Sequence, residues 1–187
     1  IEAYVTRKTN PMTDAIAKEG IKRGGRSLLA AYENGQNKAA REDMAITSLF
    51  GGLALANSGL GAVHGFAGPI GGMFNAPHGV ICASLLPYVM KSNARVLAEY
   101  GDMADLEVRF REIAVLLTGD ADVSIQDGVK WLIDLAQALK IPKLRDIGIE
   151  QSDFGRIIEK SKVSSSMQKN PVKLEESDLS DILQEAY

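Results

Sequence analysis

Two histidines, His64 and His78, are the only ones in the chain, and both lie in one stretch, Met44 to Met90, that carries no Asp, Glu, Lys or Arg. Each is followed by a glycine (Gly65, Gly79), and Pro69 and Pro77 fall between them. Two neutral imidazoles brought together in a buried segment can ligate a divalent metal. Imidazole serves Fe, Zn, Ni and Cu, so residue type leaves the ion open. The competing reading is a pair of core histidines bonded to backbone, and spacing alone favours it. The pair is also too small a donor set. A catalytic zinc takes three protein ligands and keeps one open position. The chain has no third histidine, and no carboxylate stands between Asp43 and Glu99. Cys82, the single cysteine, reads as a small buried hydrophobe on the helix after His78.

The glycines around His64 invite a different chemistry, which their context excludes. Gly59-Leu60-Gly61 opens like a dinucleotide fingerprint, but the next glycine, Gly65, falls one place late. An alanine-rich helix precedes it where a phosphate-binding turn needs a strand.

So long an uncharged run is either a membrane segment or a protein core. Met44 to Val63 is long enough to span a bilayer, at about 20 mostly apolar residues. Asn57, Ser58 and His64 interrupt it with polar groups, and Pro69, Asn75, Pro77 and His78 follow, which a lipid-exposed span does not tolerate. No Lys/Arg cluster marks an orientation. The stretch is expected to be core, with the helix before His64 as a buried axis. Composition agrees: 45% hydrophobic residues and a mean hydropathy of −0.04 suit a packed core. A net charge of −3 gives no reason to invoke nucleic acid or an anionic membrane. One cysteine allows no internal disulfide and suits a reducing cytoplasm.

The elements that must position the histidines read as helices throughout, and the fold class expected is all-α. Helices are predicted over 1–6, 12–34 and 37–56. From 57 to 72 glycine is so frequent that close backbone approach or irregular turns are expected. A helix then runs from 77 to 92 with a break at Pro87, followed by others at 93–101, 104–118, 125–139, 152–162 and 176–186. Asn10-Pro11 and Ser124 with Asp127 are helix-start signals. No alternating β-branched run suggests a strand.

At GLGAVHGFAGPIGGMFNAPHGVICASLLP, residues 59–87, the sequence resembles the iron-dependent (group III) alcohol dehydrogenases, whose second signature pairs a histidine with a later Pro-His-Gly. His64 and Pro77-His78-Gly79 match it. Ile1-Glu2-Ala3-Tyr4 resembles the end of the first signature, and Asn10-Pro11, Thr13-Asp14, Arg41 to Met44 and Lys169-Asn170-Pro171 continue in the same manner. The resemblance implies a C-terminal helical bundle domain over 1–187. It makes His64 and His78 two of four ligands to Fe(II) or Zn(II), with an Asp and another His expected upstream of Ile1. NAD(P) would be bound mainly by an N-terminal α/β domain that these residues do not include. The implied reaction is alcohol oxidation or aldehyde reduction by hydride transfer in a cytoplasmic homo-oligomer, dimeric by resemblance, with the 187 residues inactive alone. Relatives acting on maleylacetate or glycerol, and a non-catalytic helical domain with structural histidines, are the alternatives. Phe66, Gly68, Phe74 and Met73 are placed at the substrate pocket, with ordinary core packing as the alternative for Phe66, Phe74 and Met73. Gly68 stands where many members place a further histidine, so no proton relay through that side chain is expected.

Overall fold

The computed structural model describes residues 1–187 and contains helices and no strand. In order they are α1 (Glu2–Val5), α2 (Pro11–Glu33), α3 (Lys38–Asn57), α4 (Ala62–Met73), α5 (His78–Tyr100), α6 (Ala104–Thr118), α7 (Ile125–Ala138), α8 (Phe154–Lys162) and α9 (Glu176–Ala186). Short 3-10 turns lie at Leu144–Ile147, Gln151–Asp153 and Met167–Lys169. No single helix is long and apolar enough to cross a membrane.

Local chemistry sets most boundaries. Asn10 accepts a bond from the Thr13 amide while the Thr13 hydroxyl oxygen accepts from the Asn10 amide, and Pro11 occupies the first turn of α2. Ser124 and Asp127 cap α7 in the same reciprocal way. Gly101 and Gly119 end α5 and α6 with positive φ, which glycine adopts without a Cβ clash.

Two hydrophobic cores result, and α5 runs through both. Ile81, Leu85 and Val89 pack with α4, α8 and α9 in one; Met90, Ala94, Val96 and Leu97 pack with α1, α2, α6 and α7 in the other. The start of α5, the start of α4 and the short α1 meet beside this shared helix. The histidines lie there.

Two expectations fail and a third holds in part. Of the glycine-rich segment, residues 58–61 are irregular, and Gly59 and Gly61 mark close approach, where a Cβ would fall 2.6 Å from the Thr6 hydroxyl and 2.8 Å from Glu2 Oε1; the remainder forms α4, which carries His64. Burial overrides composition here, because Ala62, Phe66, Ala67 and Ile70 are each fully buried along that helix. Helix α5 is continuous across Pro87, with no separate helix at 93–101. The proline lacks one N–H, yet Leu85 and Val89 on either side are fully buried and hold the helix in place. Finally, α3 is not buried on all sides. Its buried residues are Ala40, Asp43 and Ala54, while Leu49 is 60% and Leu55 51% exposed. It lies along α2, fixed by Asp43, which accepts from Arg23, Arg26 and the Ser27 hydroxyl. Those donors hold the Asp43 carboxyl well below the usual carboxylate range, the Arg26 guanidinium most of all. The buried axis is α4 with α5.

Helices α6 and α7 touch at Gly128, where an added Cβ would fall 2.6 Å from the Ala114 Cβ. Gly128→Ala therefore loses stability, by about 1–3 kcal/mol, although alanine is the better helix former. Chemical denaturation checks this, and a variant as stable as the parent contradicts it.

Candidate metal centre

His64 is held from three directions. The N-cap of helix α4 is Gly61, which has no side chain to cap the helix's open amides. Two distant residues do it instead. The Asn170 side-chain oxygen accepts from the Ala62 amide at 3.0 Å, and Glu2 Oε1 accepts from the Val63 amide at 2.8 Å. Gly61 is needed for this, because a Cβ there would lie 2.8 Å from both of those oxygens. Glu2 Oε2 then takes the His64 Nδ1–H at 2.6 Å. One carboxylate, with its side chain 7% exposed, thus caps the helix and orients the imidazole on its first turn.

Glu2 is itself anchored by the elements around it. Arg109 donates to the Tyr4 carbonyl and grips both oxygens of Asp14, at 3.0 and 2.7 Å, tying α1 to α2 and α6. Thr6 donates to the Lys169 carbonyl. Asn170 is 3% exposed and donates to Asn93 and to the Val172 carbonyl, so it is a fixed cap.

With Nδ1 committed to Glu2, the neutral His64 ring turns the lone pair of Nε2 outward. His78 occupies the first turn of α5, and Cys82 stands one turn later on the same helix. Cys82 Sγ lies 3.5 Å from His78 Nε2 and 3.9 Å from His64 Nε2, and the two rings are 5.4 Å apart, centre to centre. One ligand atom from each of the three residues falls within 4.8 Å of the others. Zinc binds sulfur at about 2.3 Å and imidazole at about 2.1 Å, which at a tetrahedral angle sets those ligands about 3.5 Å apart. The donor set fits a divalent ion with a position left open. A carboxylate behind a ligating histidine is the usual support of such a ligand.

The structure thus brings His64 and His78 together and adds two residues that the sequence reading had not assigned to the site. Cys82 is half-buried and faces both histidines, although its role was expected to be packing. Its place was legible in the His78 to Cys82 helical spacing. Glu2 was not legible, because it meets His64 only through the tertiary fold.

Phe66, Phe74 and Met73 take the packing alternative. Phe66 is fully buried in the core around α4 and α5, because it faces inward from α4. Phe74 and Met73 are half-buried and pack against the same core. Gly68 is exposed, with open space where a Cβ would project. The cavity beside His64 and Cys82 is walled by residues of α1 to α7, with only Val63 and His64 from α4.

Known proteins with this sequence and fold agree on the class. A model of the Fe-containing alcohol dehydrogenase family, C-terminal, matches residues 1–187. The chain is 35% identical to a 1,3-propanediol dehydrogenase of Klebsiella pneumoniae and 33% identical to alcohol dehydrogenase 4 of Saccharomyces cerevisiae. All of this chain is covered in both cases, with 48% and 47% of those proteins. A crystal structure of a 1,3-propanediol oxidoreductase superposes with a TM-score of 0.88 at 32% identity, covering all of this chain and 48% of that one. The fold and sequence are those of an iron-type alcohol dehydrogenase C-terminal region. The chain belongs to the Fe-containing alcohol dehydrogenase family, and it spans about half the length of the curated relatives it matches.

The surroundings of His64 set a pH dependence. The Cys82 sulfur and the Glu2 carboxylate raise its pKa from the ordinary 6.5 to about 9, against the opposing effect of burial. The protonated ring is therefore favoured on folding. That stability is fully present below pH 6.5 and is lost as pH rises to about 9. A metal needs the neutral ring, so binding displaces the proton and apparent affinity rises over the same interval. Chelator-competition titrations with Zn(II) at stepped pH check this, and an affinity flat between pH 6.5 and 9 contradicts it. Glu2→Gln keeps the shape but loses the charge behind His64, and is expected to weaken Zn(II) binding about 10- to 100-fold.

Proposed function

We propose that these residues form the metal-holding domain of a longer NAD(P)-dependent alcohol dehydrogenase that oxidises a small-molecule alcohol or reduces the aldehyde. The convergence of His64, His78 and Cys82 on one point, with Glu2 behind His64, carries this reading. His64 and His78 hold the ion, Fe(II) or Zn(II), and Cys82 offers a third donor from the chain itself. When bound, the ion supplies Lewis-acid polarisation of the alcohol oxygen, and the nicotinamide supplies the hydride acceptor.

The chain's own residues do the rest. Glu2 fixes the His64 ring and its tautomer, so the ligand lone pair is aimed before substrate arrives. The apolar walls beside His64, among them Leu60, Val63 and Leu86, exclude water from the reacting oxygen. Gly68 offers no side chain for a proton relay. With the nucleotide held elsewhere, the 187 residues alone are expected to have no dehydrogenase turnover.

The test uses the full-length gene product. It is expected to retain Fe or Zn on purification and to reduce NAD(P) with a primary alcohol. His78→Ala is expected to lower bound metal and turnover together, by at least about a hundredfold. Unchanged metal content and rate in that variant would remove His78 from the site.

A further inference from the structure

Two features of the sequence have no part in the metal centre as described: the glycines Gly59, Gly61 and Gly65, and Lys169-Asn170-Pro171 near the end of the chain. The structure sets them face to face. A Cβ on Gly59 would fall 2.8 Å from Lys169 Cδ, one on Gly61 2.8 Å from Asn170 Oδ1, and one on Gly65 3.0 Å from Met167 Cβ. The glycines thus let the start of α4 lie directly on residues 167–172, where a side chain would hold it off.

The same segment reaches the other two elements of the site. The Thr6 hydroxyl and the Arg7 amide, just after α1, both donate to the Lys169 carbonyl at 3.1 Å. Arg7 Nε donates to the Pro171 carbonyl at 3.3 Å. Toward α5, Asn170 Nδ2 donates to Asn93 Oδ1 at 2.7 Å, and Asn93 Nδ2 donates back to Asn170 Oδ1 at 3.4 Å. With the Ala62 amide and the Val172 carbonyl, both donors and both acceptor positions of the Asn170 side chain are used. Turned over, the amide would set its own N–H groups against the Ala62 N–H, so only one orientation serves. Asn93 and Asn170 are 2% and 3% exposed, and water cannot take the place of either partner. Residues 167–172 therefore bond to the element that carries Glu2, to the one that carries His64, and to the one that carries His78 and Cys82.

We propose that this segment is a strap that sets the spacing of the metal ligands, with Asn170 as its positioning residue. The proposal rests on the metal-holding reading and names what fixes the geometry of that site. Packed helices can shift past one another by about 1–2 Å. A metal tolerates about 0.2 Å in its ligand distances. Apolar packing between α4 and α5 is therefore too permissive to place His64 against His78. Asn170 removes that freedom, because one rigid side chain bonds the first turn of α4 and the middle of α5 at once.

The full-length protein, stripped of metal, is titrated with Co(II), whose visible absorption reports ligand geometry, and its affinity is measured against a chelator. Asn170→Ala is expected to raise the Co(II) Kd about 10- to 100-fold and to move the absorption bands. Asn93→Ala keeps the cap on Ala62 and cuts only the tie to α5. It is expected to weaken Co(II) in the same direction, and it decides the question where Asn170→Ala does not fold. Gly128→Ala is the control, since it strains the α6–α7 contact away from the strap. It is expected to lower stability and leave Kd and spectrum as in the parent. Folded Asn170→Ala or Asn93→Ala with the parent's Kd and bands overturns the proposal, leaves Asn170 a helix cap alone, and spares the metal reading. Equal weakening in Gly128→Ala also overturns it, because affinity would then follow stability and not ligand placement. A parent protein that takes up no Co(II) defeats the metal reading, and the strap's role with it.

Discussion

The contact between the Glu2 carboxylate and His64 Nδ1 is the constraint on which the site depends. Burying a carboxylate is unfavourable unless each lone pair finds a donor. Here the donors are the first open amides of α4 and the imidazole on its first turn. A charge that would otherwise destabilise the core becomes the cap of a helix whose own N-terminus is a glycine. The same bond fixes which nitrogen of His64 faces outward. Helix start, side-chain orientation and tautomer follow from one group, and removing it disturbs all three.

The rest of the molecule can be understood as the support of that contact. Glu2 lies on a helix of four residues, too short to be stable by itself. It is held by Arg109 across to Asp14 and by Thr6 to the segment before α9. Asn170 shares the capping of α4 from the other side, and its own bonds to Asn93 link that cap to α5, which carries His78 and Cys82. The donors of the candidate site therefore belong to two helices whose relative placement is fixed by a buried amide pair as well as by apolar packing.

The sequence made the helical class, the capped starts of α2 and α7, and the two histidines legible, because each rests on local spacing or on a specific motif. It misled where tertiary burial outweighs local preference. Frequent glycine argued for irregular turns, yet Phe66 and Ile70 bury most of the same segment as a helix. Leu49 and Leu55 argued for an enclosed α3, but hydrophobicity gives only the tendency to be covered. Phe66 was open between pocket lining and core packing, and it packs in the core because it faces inward from α4, away from the side that carries His64 two residues earlier. Glu2 carries no local sign of its role. Its partner is far along the chain, and only the fold brings them together.

The central claim is that His64, His78 and Cys82 bind one divalent ion. X-ray absorption of the zinc-loaded chain tests it most directly. The account predicts two nitrogen neighbours at about 2.0–2.1 Å and one sulfur at about 2.3 Å, with the sulfur shell lost in Cys82→Ser. A first shell without sulfur in the parent protein, or the same shell in His64→Ala, would contradict it.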